Sequence, residues 1–454
     1  MPEYRDRLIS LLAENLDFHD EDSGYGSHNF HSFPAKFPPQ LPYKFIAALT
    51  APGEVVLDPM LGSGTTIVEA YRTGRHAIGF DIDPLALLIC RVKTTSLDID
   101  EVARIGASIS AQAKQSVTER PDLLRAALQT QGDEKTRKFV NYWFESNTQI
   151  ELLALRQEID RVNDEAIRAF FDLAFSSIII TKSGGVSLAL DLGHTRPHRA
   201  KWVVLPSGEV APMEDSSDTR VPYLTKNLRS ALEEFRKRYR KNLADIMKYD
   251  ATRIESDIET GDAKNLPLPD NSVDLVVTSP PYASNAIDYM RAHKFSLVWM
   301  GHLIDDLGQR RREYIGGEAL ADIALVPLPA HTTEVVQEIA NLDRKKGAVL
   351  HRYYTEMTHA LSEMHRVLRP GKAAIVVVGS SIMRNRDTET GTCLAEIGRT
   401  IGFDVPLIGL RNLDRNRRML PVGMNLDLES QIQQRMHQEH VIGLYKPIQE
   451  REER

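Results

Sequence analysis

Short apolar runs rich in β-branched residues and longer amphipathic stretches occupy different parts of this chain. Glu54-Val55-Val56-Leu57 reads as a buried strand, a tight glycine turn follows, and Thr65 to Arg72 has the spacing of a helix. His76-Ala77-Ile78-Gly79-Phe80 predicts a second strand. Ser272-Val273-Asp274-Leu275-Val276-Val277 predicts another, entered through the turn signal Pro269-Asp270-Asn271 and closed by Pro280-Pro281. This pattern predicts an α/β fold, a sheet flanked by helices. Between the strand-bearing parts the period becomes helical, over Lys138 to Val162, Asp164 to Ser177 and Leu224 to Met247, with breaks at Gly184-Gly185 and the polar stretch Met213 to Thr219. The expected organisation is an acidic, partly helical lead over 1–27, with a flexible joint at Asp20-Glu21-Asp22-Ser23-Gly24, and a first half of the sheet domain over 28–95. A mainly helical insertion over 96–250 and a second half with a C-terminal extension over 251–454 complete it, with an irregular excursion from Asp305 to Lys346.

The loops that end these strands carry the polar chemistry, and open α/β sheets bind ligands at the carboxyl ends of their strands. Asp58-Pro59-Met60-Leu61-Gly62-Ser63-Gly64-Thr65-Thr66 follows the first strand, and its glycines let backbone come close to a ligand. Gly-x-Gly is shorter than the full dinucleotide fingerprint, so a nicotinamide cofactor is weakly supported and a plain strand-turn-helix is the bland alternative. Asp81 comes first after the second strand and can accept from both hydroxyls of a ribose, whereas Asp83-Pro84 has the form of a helix cap and first turn. Asp262, in Gly261-Asp262-Ala263, is either a contact to an adenine amino group or a surface acid. The last strand runs into Thr278-Ser279-Pro280-Pro281-Tyr282. Ser279 can accept one hydrogen of an amino group, the rigid prolines fix a carbonyl, that of Pro280, to accept the other, and Tyr282 offers a flat face to a base. Alone, the segment is equally well a turn.

In combination and in this order, residues 28–93, 253–300 and 366–381 resemble the site-specific DNA methyltransferases that modify N4 of cytosine or N6 of adenine. The resemblance implies a Rossmann-like, S-adenosylmethionine-dependent methyltransferase sheet. It assigns Asp58, Met60, Gly62, Gly64, Thr65 and Thr66 to the cofactor loop, Asp81 to the ribose, Asp262 to the adenine, and Thr278 to the cofactor site. His31 to Leu41, with Lys36, Phe37 and Pro38, matches the segment that closes over the methionine part. Ser279, Pro280, Pro281 and Tyr282 match the catalytic loop, and Val367 to Lys372 followed by Ala373 to Val378 resembles a later helix, turn and strand. Met60 stands where the family usually has Phe. The catalytic loop opens on Ser where adenine-specific members typically carry Asp or Asn, and the Ser form goes mostly with cytosine N4, which the resemblance implies as the target, with adenine N6 the nearest rival. An amino nitrogen conjugated with its ring is a poor nucleophile, so such a site must hold its hydrogens, aim the lone pair and exclude water. The sulfonium is already an activated donor, so no metal and no general base is expected. A paired base cannot reach such a loop and has to be flipped out of the duplex.

Composition narrows the setting. With 454 residues and 42% hydrophobic content, the chain can hold more than one packed unit. Its two cysteines, Cys90 and Cys393, lie in apolar segments and read as reduced, buried thiols of a cytoplasmic protein, not a disulfide framework or metal site. No signal peptide or apolar run of membrane-spanning length is visible. A net charge of −7 does not advertise nucleic-acid binding, yet phosphate contacts depend on where the cations lie. The candidate clusters are Arg196, Arg199 and Lys201; Arg236 to Lys241; Arg310, Arg311 and Arg312; and Arg411 with Arg415, Arg417 and Arg418, all expected outside the sheet. Each alone is also an ordinary solvated face. The expected partner is double-stranded DNA, with a restriction endonuclease as companion and a monomer or homodimer as the assembly. Residues 96–250 are the candidate target-recognition region, or else a cap or dimer surface. An RNA base methyltransferase and a DNA-binding protein that keeps the fold without cofactor are the competing readings.

Overall fold

The computed structural model describes residues 3–33, 36–181, 185–189, 202–204, 210–212, 228–246, 256–283, 289–317, 323–413 and 438–448. The chain divides into two compact units, one of Met1–Ser96, Asp245–Asp288 and Gly308–Arg454, the other of Leu97–Ala244 and Tyr289–Leu307. The first is built on a seven-stranded sheet of β1 (Val55–Asp58), β2 (His76–Asp81), β3 (Ser256–Thr260), β4 (Val273–Thr278), β5 (Leu368–Gly379), β6 (Ile408–Asn412) and β7 (Gln438–Tyr445). Their spatial order is β6-β7-β5-β4-β1-β2-β3. The run from β5 to β3 is parallel, and the β6–β7 hairpin joins β5 antiparallel. The strand order reverses between β1 and β4, where a crevice opens in sheets of this kind.

The helices, in chain order, are α1 (Tyr4–Ala13), α2 (Gln40–Leu49), α3 (Thr65–Arg72), α4 (Pro84–Thr94), α5 (Ile99–Glu119), α6 (Pro121–Thr130), α7 (Glu134–Trp143) and α8 (Ser146–Asp160). They continue with α9 (Glu165–Ile179), α10 (Ala231–Ile246), α11 (Tyr289–Leu297), α12 (Ile304–Glu313), α13 (Ala330–Leu342), α14 (Arg344–Val367) and α15 (Thr390–Ile401). In the first unit they cover both faces of the sheet, and the period of two along the strands decides which residue meets which layer. Leu275, Val277, Ile375 and Val377 pack with α1, α2, α3 and α4, while Val276, Ala374, Val376 and Val378 pack with α13, α14 and α15. Strands buried on both faces are largely apolar, which is why Leu275 to Val277 of β4 and Ala373 to Val378 of β5 read as continuous hydrophobic runs.

Several sequence expectations need correction. The lead is partly helical as expected, and its helix is also part of the core: α1 buries Leu8, Leu11 and Leu12, and a Cβ at Gly443 of β7 would lie 2.5 Å from Leu12 Cδ1. The expected joint is a hydrogen-bonded turn, with Asp22 Oδ1 accepting from the Gly24 amide at 2.8 Å and Asp22 O from Gln40 Nε2 at 2.8 Å. The helix expected over Lys138 to Val162 is two helices, because the chain extends at Phe144 to bury that ring, which packs edge-on to Trp299 at 5.4 Å. The stretch Asp305 to Lys346 is largely helical; α13 buries only a narrow stripe of Thr332, Val335 and Ile339 among polar residues. Arg411 lies within β6, inside the sheet and buried. The Met213 to Thr219 stretch and Gly184 lie outside the described residues.

Candidate active site

Because β1, β2, β3 and β4 are parallel neighbours, their carboxyl ends share one edge, and Asp58, Asp81, Asp262 and Ser279 are gathered there. Hydrogen bonds stitch the crevice between β1 and β4. Thr278 Oγ1 donates to Asp58 Oδ1 at 2.7 Å, the Met60 amide donates to the same oxygen at 3.1 Å, and Thr66 Oγ1 donates to Val277 O at 3.1 Å. Asp58 is 2% exposed, and burial pushes its carboxyl up to about 6 against the opposing effect of those donors. Met60 packs partly buried against the core, which is what an apolar residue can do in place of a ring.

The loop after β1 depends on two glycines. Gly62 has φ +48° and Gly64 φ +73°, and a Cβ would lie 3.2 Å from Phe33 Cε1 at the first and 2.6 Å from Cys90 Sγ at the second. Cys90 is free and buried under the loop, and burial pushes its thiol up. Ser63 Oγ and Thr65 Oγ1 are 2.8 Å apart. Buried Lys93 of α4 donates to Ser63 O at 2.6 Å, and burial, aided by the charge of Lys36, pushes its ammonium down to about 7. Nothing in the sequence pattern distinguished Lys93 from a solvent-facing helix residue.

Half-buried Asp81 braces this loop. Its Oδ2 accepts from the Gly62 amide and its Oδ1 from the Asp83 amide, both at 2.9 Å. Burial, and then the charge of Asp83, push its carboxyl up to about 7, while those amides pull it down. Asp83 caps α4 as expected, Oδ1 accepting from the Leu85 amide at 2.8 Å with Pro84 at the first helical position. Its other oxygen accepts from Tyr314 Oη at 2.8 Å, and Arg310 Nη1 donates to Ile82 O at 2.9 Å. Tyr314 lay in the stretch expected to be irregular, so no period marked it. Asp262 accepts from the Lys264 amide at 3.0 Å, with Lys264 Nζ 3.3 Å from its other oxygen. Its neighbour Gly261 has Phe80 against it, a Cβ there lying 2.7 Å from Cδ1.

The upstream segment is anchored through α3. His28 Nε2 and Glu69 Oε1 are 2.7 Å apart, Arg72 Nη1 donates to the same oxygen at 2.9 Å, and burial pushes the His28 ring down to about 4. Lys36 Nζ donates to His28 O at 2.9 Å, Phe37 is buried in the core cluster, and the carbonyl of Pro38 accepts from the Leu41 amide at 3.0 Å as α2 begins. Opposite, Ser279 is half-buried, and its hydroxyl has no hydrogen-bond partner among the described residues. Pro280 is buried and Pro281 half-buried. Buried Tyr282 donates to Glu439 Oε1 at 3.1 Å. A Cβ at Gly316 would lie 3.4 Å from Tyr282 O, and the Gly316 amide donates to Glu356 Oε2 at 2.8 Å, so the loop after α12 backs the Ser-Pro-Pro-Tyr turn.

Of the basic candidates, Arg196, Arg199, Lys201, Arg415, Arg417 and Arg418 lie outside the described residues. Arg311 stands on α12 beside Arg310. On α10, Arg236 and Lys237 pair with Glu233 and Glu234 at 2.8 and 3.1 Å, which spends part of that cluster on its own helix.

The donors and acceptors at this edge suit S-adenosylmethionine. Among the described residues neither Asp58 nor Asp81 carries an ion pair, and Asp81, with two amide donors on a group that has about four lone-pair sites, retains acceptor capacity for a ribose diol. Gly62 and Gly64 keep the loop free of side-chain bulk, and uncompensated carboxylates favour a cationic sulfonium.

A glycine loop after one strand, an acid after the next and a Ser-Pro-Pro-Tyr turn across the crevice thus share one edge of the sheet. The chain is similar to N6/N4 DNA amino-methyltransferases: the family model described as DNA methylase matches residues 15–90. It is similar to the Type II methyltransferase M.MvaI of Kocuria varians, 24% identical over 422 residues that cover 86% of each chain. It is likewise similar to M.BsoBI of Geobacillus stearothermophilus, 24% identical over 82% of this chain and 78% of that one. A shorter match, 45% identical, joins it to M2.DpnII of Streptococcus pneumoniae over 19% of this chain and 34% of the relative. Enzymes of this family take S-adenosylmethionine as methyl donor, and this protein is a DNA methyltransferase of the N4/N6 type.

Proposed function

We propose that this protein methylates the N4 amino group of cytosine in a specific sequence of double-stranded DNA. S-adenosylmethionine, held by Gly62, Gly64, Asp81 and Asp262, supplies an activated methyl group. Ser279 Oγ accepts one hydrogen of the target amino group and the carbonyl of Pro280 the other, which draws the lone pair out of conjugation and toward the cofactor. Tyr282 gives the flipped base a face to stack on, and the crevice keeps water from the reacting atoms. The proton leaves to water after transfer, so no side chain has to act as a base. Residues 96–250 read the target, with Arg196, Arg199, Lys201, Arg311, Arg415 and Arg417 as phosphate contacts. We place the enzyme in the cytoplasm as the modifying partner of a restriction endonuclease.

The observation that carries this reading is the hydroxyl of Ser279, which has no hydrogen-bond partner among the described residues and stands one residue beyond the Thr278 side chain that donates to Asp58. Mass spectrometry of digested DNA from cells expressing the protein tests it. N4-methylcytosine is the expected product; N6-methyladenine would overturn the base assignment and leave the amino-methyltransferase in place.

A further inference from the structure

Tyr282 is held at the far end of its ring. Its hydroxyl donates to Glu439 Oε1 at 3.1 Å, and Arg411 Nη1 donates to Glu439 Oε2 at 2.5 Å. Tyr282, Glu439 and Arg411 are 7, 6 and 8% exposed. Glu439 and Arg411 face each other in the register of β7 and β6, and Glu439 is also opposite Gly379 at the carboxyl end of β5. The antiparallel hairpin therefore brings an ion pair to the same sheet edge as the catalytic loop.

A stacking platform by itself needs no such arrangement. Phenylalanine would offer the same face, and burying a carboxylate with a guanidinium is weak as a source of stability, because desolvation offsets the attraction. What the pair adds is direction. An aromatic ring's χ2 well is broad; a charge-assisted hydrogen bond at the para oxygen pins the direction of the ring axis, and the preference of a phenol O–H for its ring plane couples the twist about that axis to Glu439. Arg411 holds the Glu439 carboxylate in place, and Glu439 fixes the hydroxyl.

We infer that Glu439, with Arg411 behind it, is a positioning residue that sets the plane of Tyr282 against which the target base stacks. The inference rests on the methyltransferase reading of the Ser279 to Tyr282 loop. It predicts that the pair acts on the reaction only through the phenol hydroxyl.

A double-mutant cycle tests it on the full chain. One arm is Tyr282→Phe; the other removes both charges together, Arg411→Met with Glu439→Leu, so that no buried ion is left unpaired; the fourth protein carries all three changes. Each arm should lower kcat about tenfold with cofactor affinity unchanged by calorimetry, and the combined protein should lose no more than either arm alone. Multiplied losses, or losses confined to KM, would overturn the inference. The unfolding midpoints of the same four proteins, read without DNA or cofactor, should also be non-additive. Additive midpoints would mean that hydroxyl and carboxylate are not joined. Coupled midpoints with multiplied kcat losses would reduce Glu439 to a purely structural role, which also overturns the proposal. Should the unaltered protein move no methyl group to DNA, the methyltransferase reading falls and the role of Glu439 with it, a result visible before any variant is made.

Discussion

The two loops that meet across the crevice are built differently. In the loop after β1, Asp58, Ser63, Thr65, Thr66 and the bracing Asp81 all hold partners within the protein, and Lys93 secures a carbonyl from below. In the loop after β4 the fixed points are at the two ends, Thr278 and Tyr282, while the hydroxyl of Ser279 has no hydrogen-bond partner among the described residues. In the proposed function this makes the cofactor side organised in advance and the base side framed but left open. Damage to the first should appear as lost binding, and damage to the second as lost rate.

The sharpest way to break this contrast is Gly64→Val. The substitution forces a β-branched residue to φ +73°, which costs roughly 1–2 kcal/mol for an ordinary residue, and drives its Cβ against Cys90. Cofactor affinity should fall on the order of 10²-fold or more in a variant that still folds by circular dichroism. Gly64→Ala combined with Cys90→Ala should recover part of it. Unchanged calorimetric affinity for Gly64→Val would detach this loop from the cofactor.

On the other side, Ser279→Ala and Tyr282→Ala should bind cofactor normally and transfer methyl groups more slowly, on the order of 10²-fold, when the lost contact is made chiefly in the transition state. Undiminished transfer by both would mean that the chemistry happens elsewhere.

The smallest effect concerns pH. The Asp81 carboxyl is pushed up to about 7 in the folded protein, against about 3.9 in an unfolded chain. Folding therefore retains a proton that the unfolded chain has lost, and the stability from this group, full below about 4, is lost as pH rises through about 7. A ribose diol that donates to the ionised carboxylate expels that proton. Cofactor affinity should then fall about tenfold per unit below pH 7 and level off above it. Lys93 titrates in the same window, so Asp81→Asn is the control, and it should flatten the slope. A wild-type affinity that does not vary between pH 5.5 and 8 would sink the ribose role of Asp81.

The two loops and their strands were legible because they combine local signals: a buried apolar run, a turn residue with a special conformation, then a cap. Thr65 to Arg72 and the Asp83-Pro84 cap lie where the pattern put them. β3 escaped because it is an edge strand with Ile258 alone buried among Ser256, Asp257, Glu259 and Thr260. The β6–β7 hairpin escaped for a different reason: its strands are far apart in sequence, and a buried Arg and Glu on facing positions resemble surface residues until their pairing is known. Tyr314, Lys93 and Glu439 were missed in the same way, since each matters through a partner that only the tertiary structure brings near.

Cys90, beneath Gly64, has one further use. With its thiol sealed under the loop and its ionisation suppressed by burial, an alkylating reagent can reach it only when the loop lifts. In a Cys393→Ser background the rate of labelling at Cys90 becomes a clock for how often the glycine turn opens, readable without DNA, donor or turnover. A saturating nucleoside ligand should slow that clock by the same factor by which it holds the turn shut.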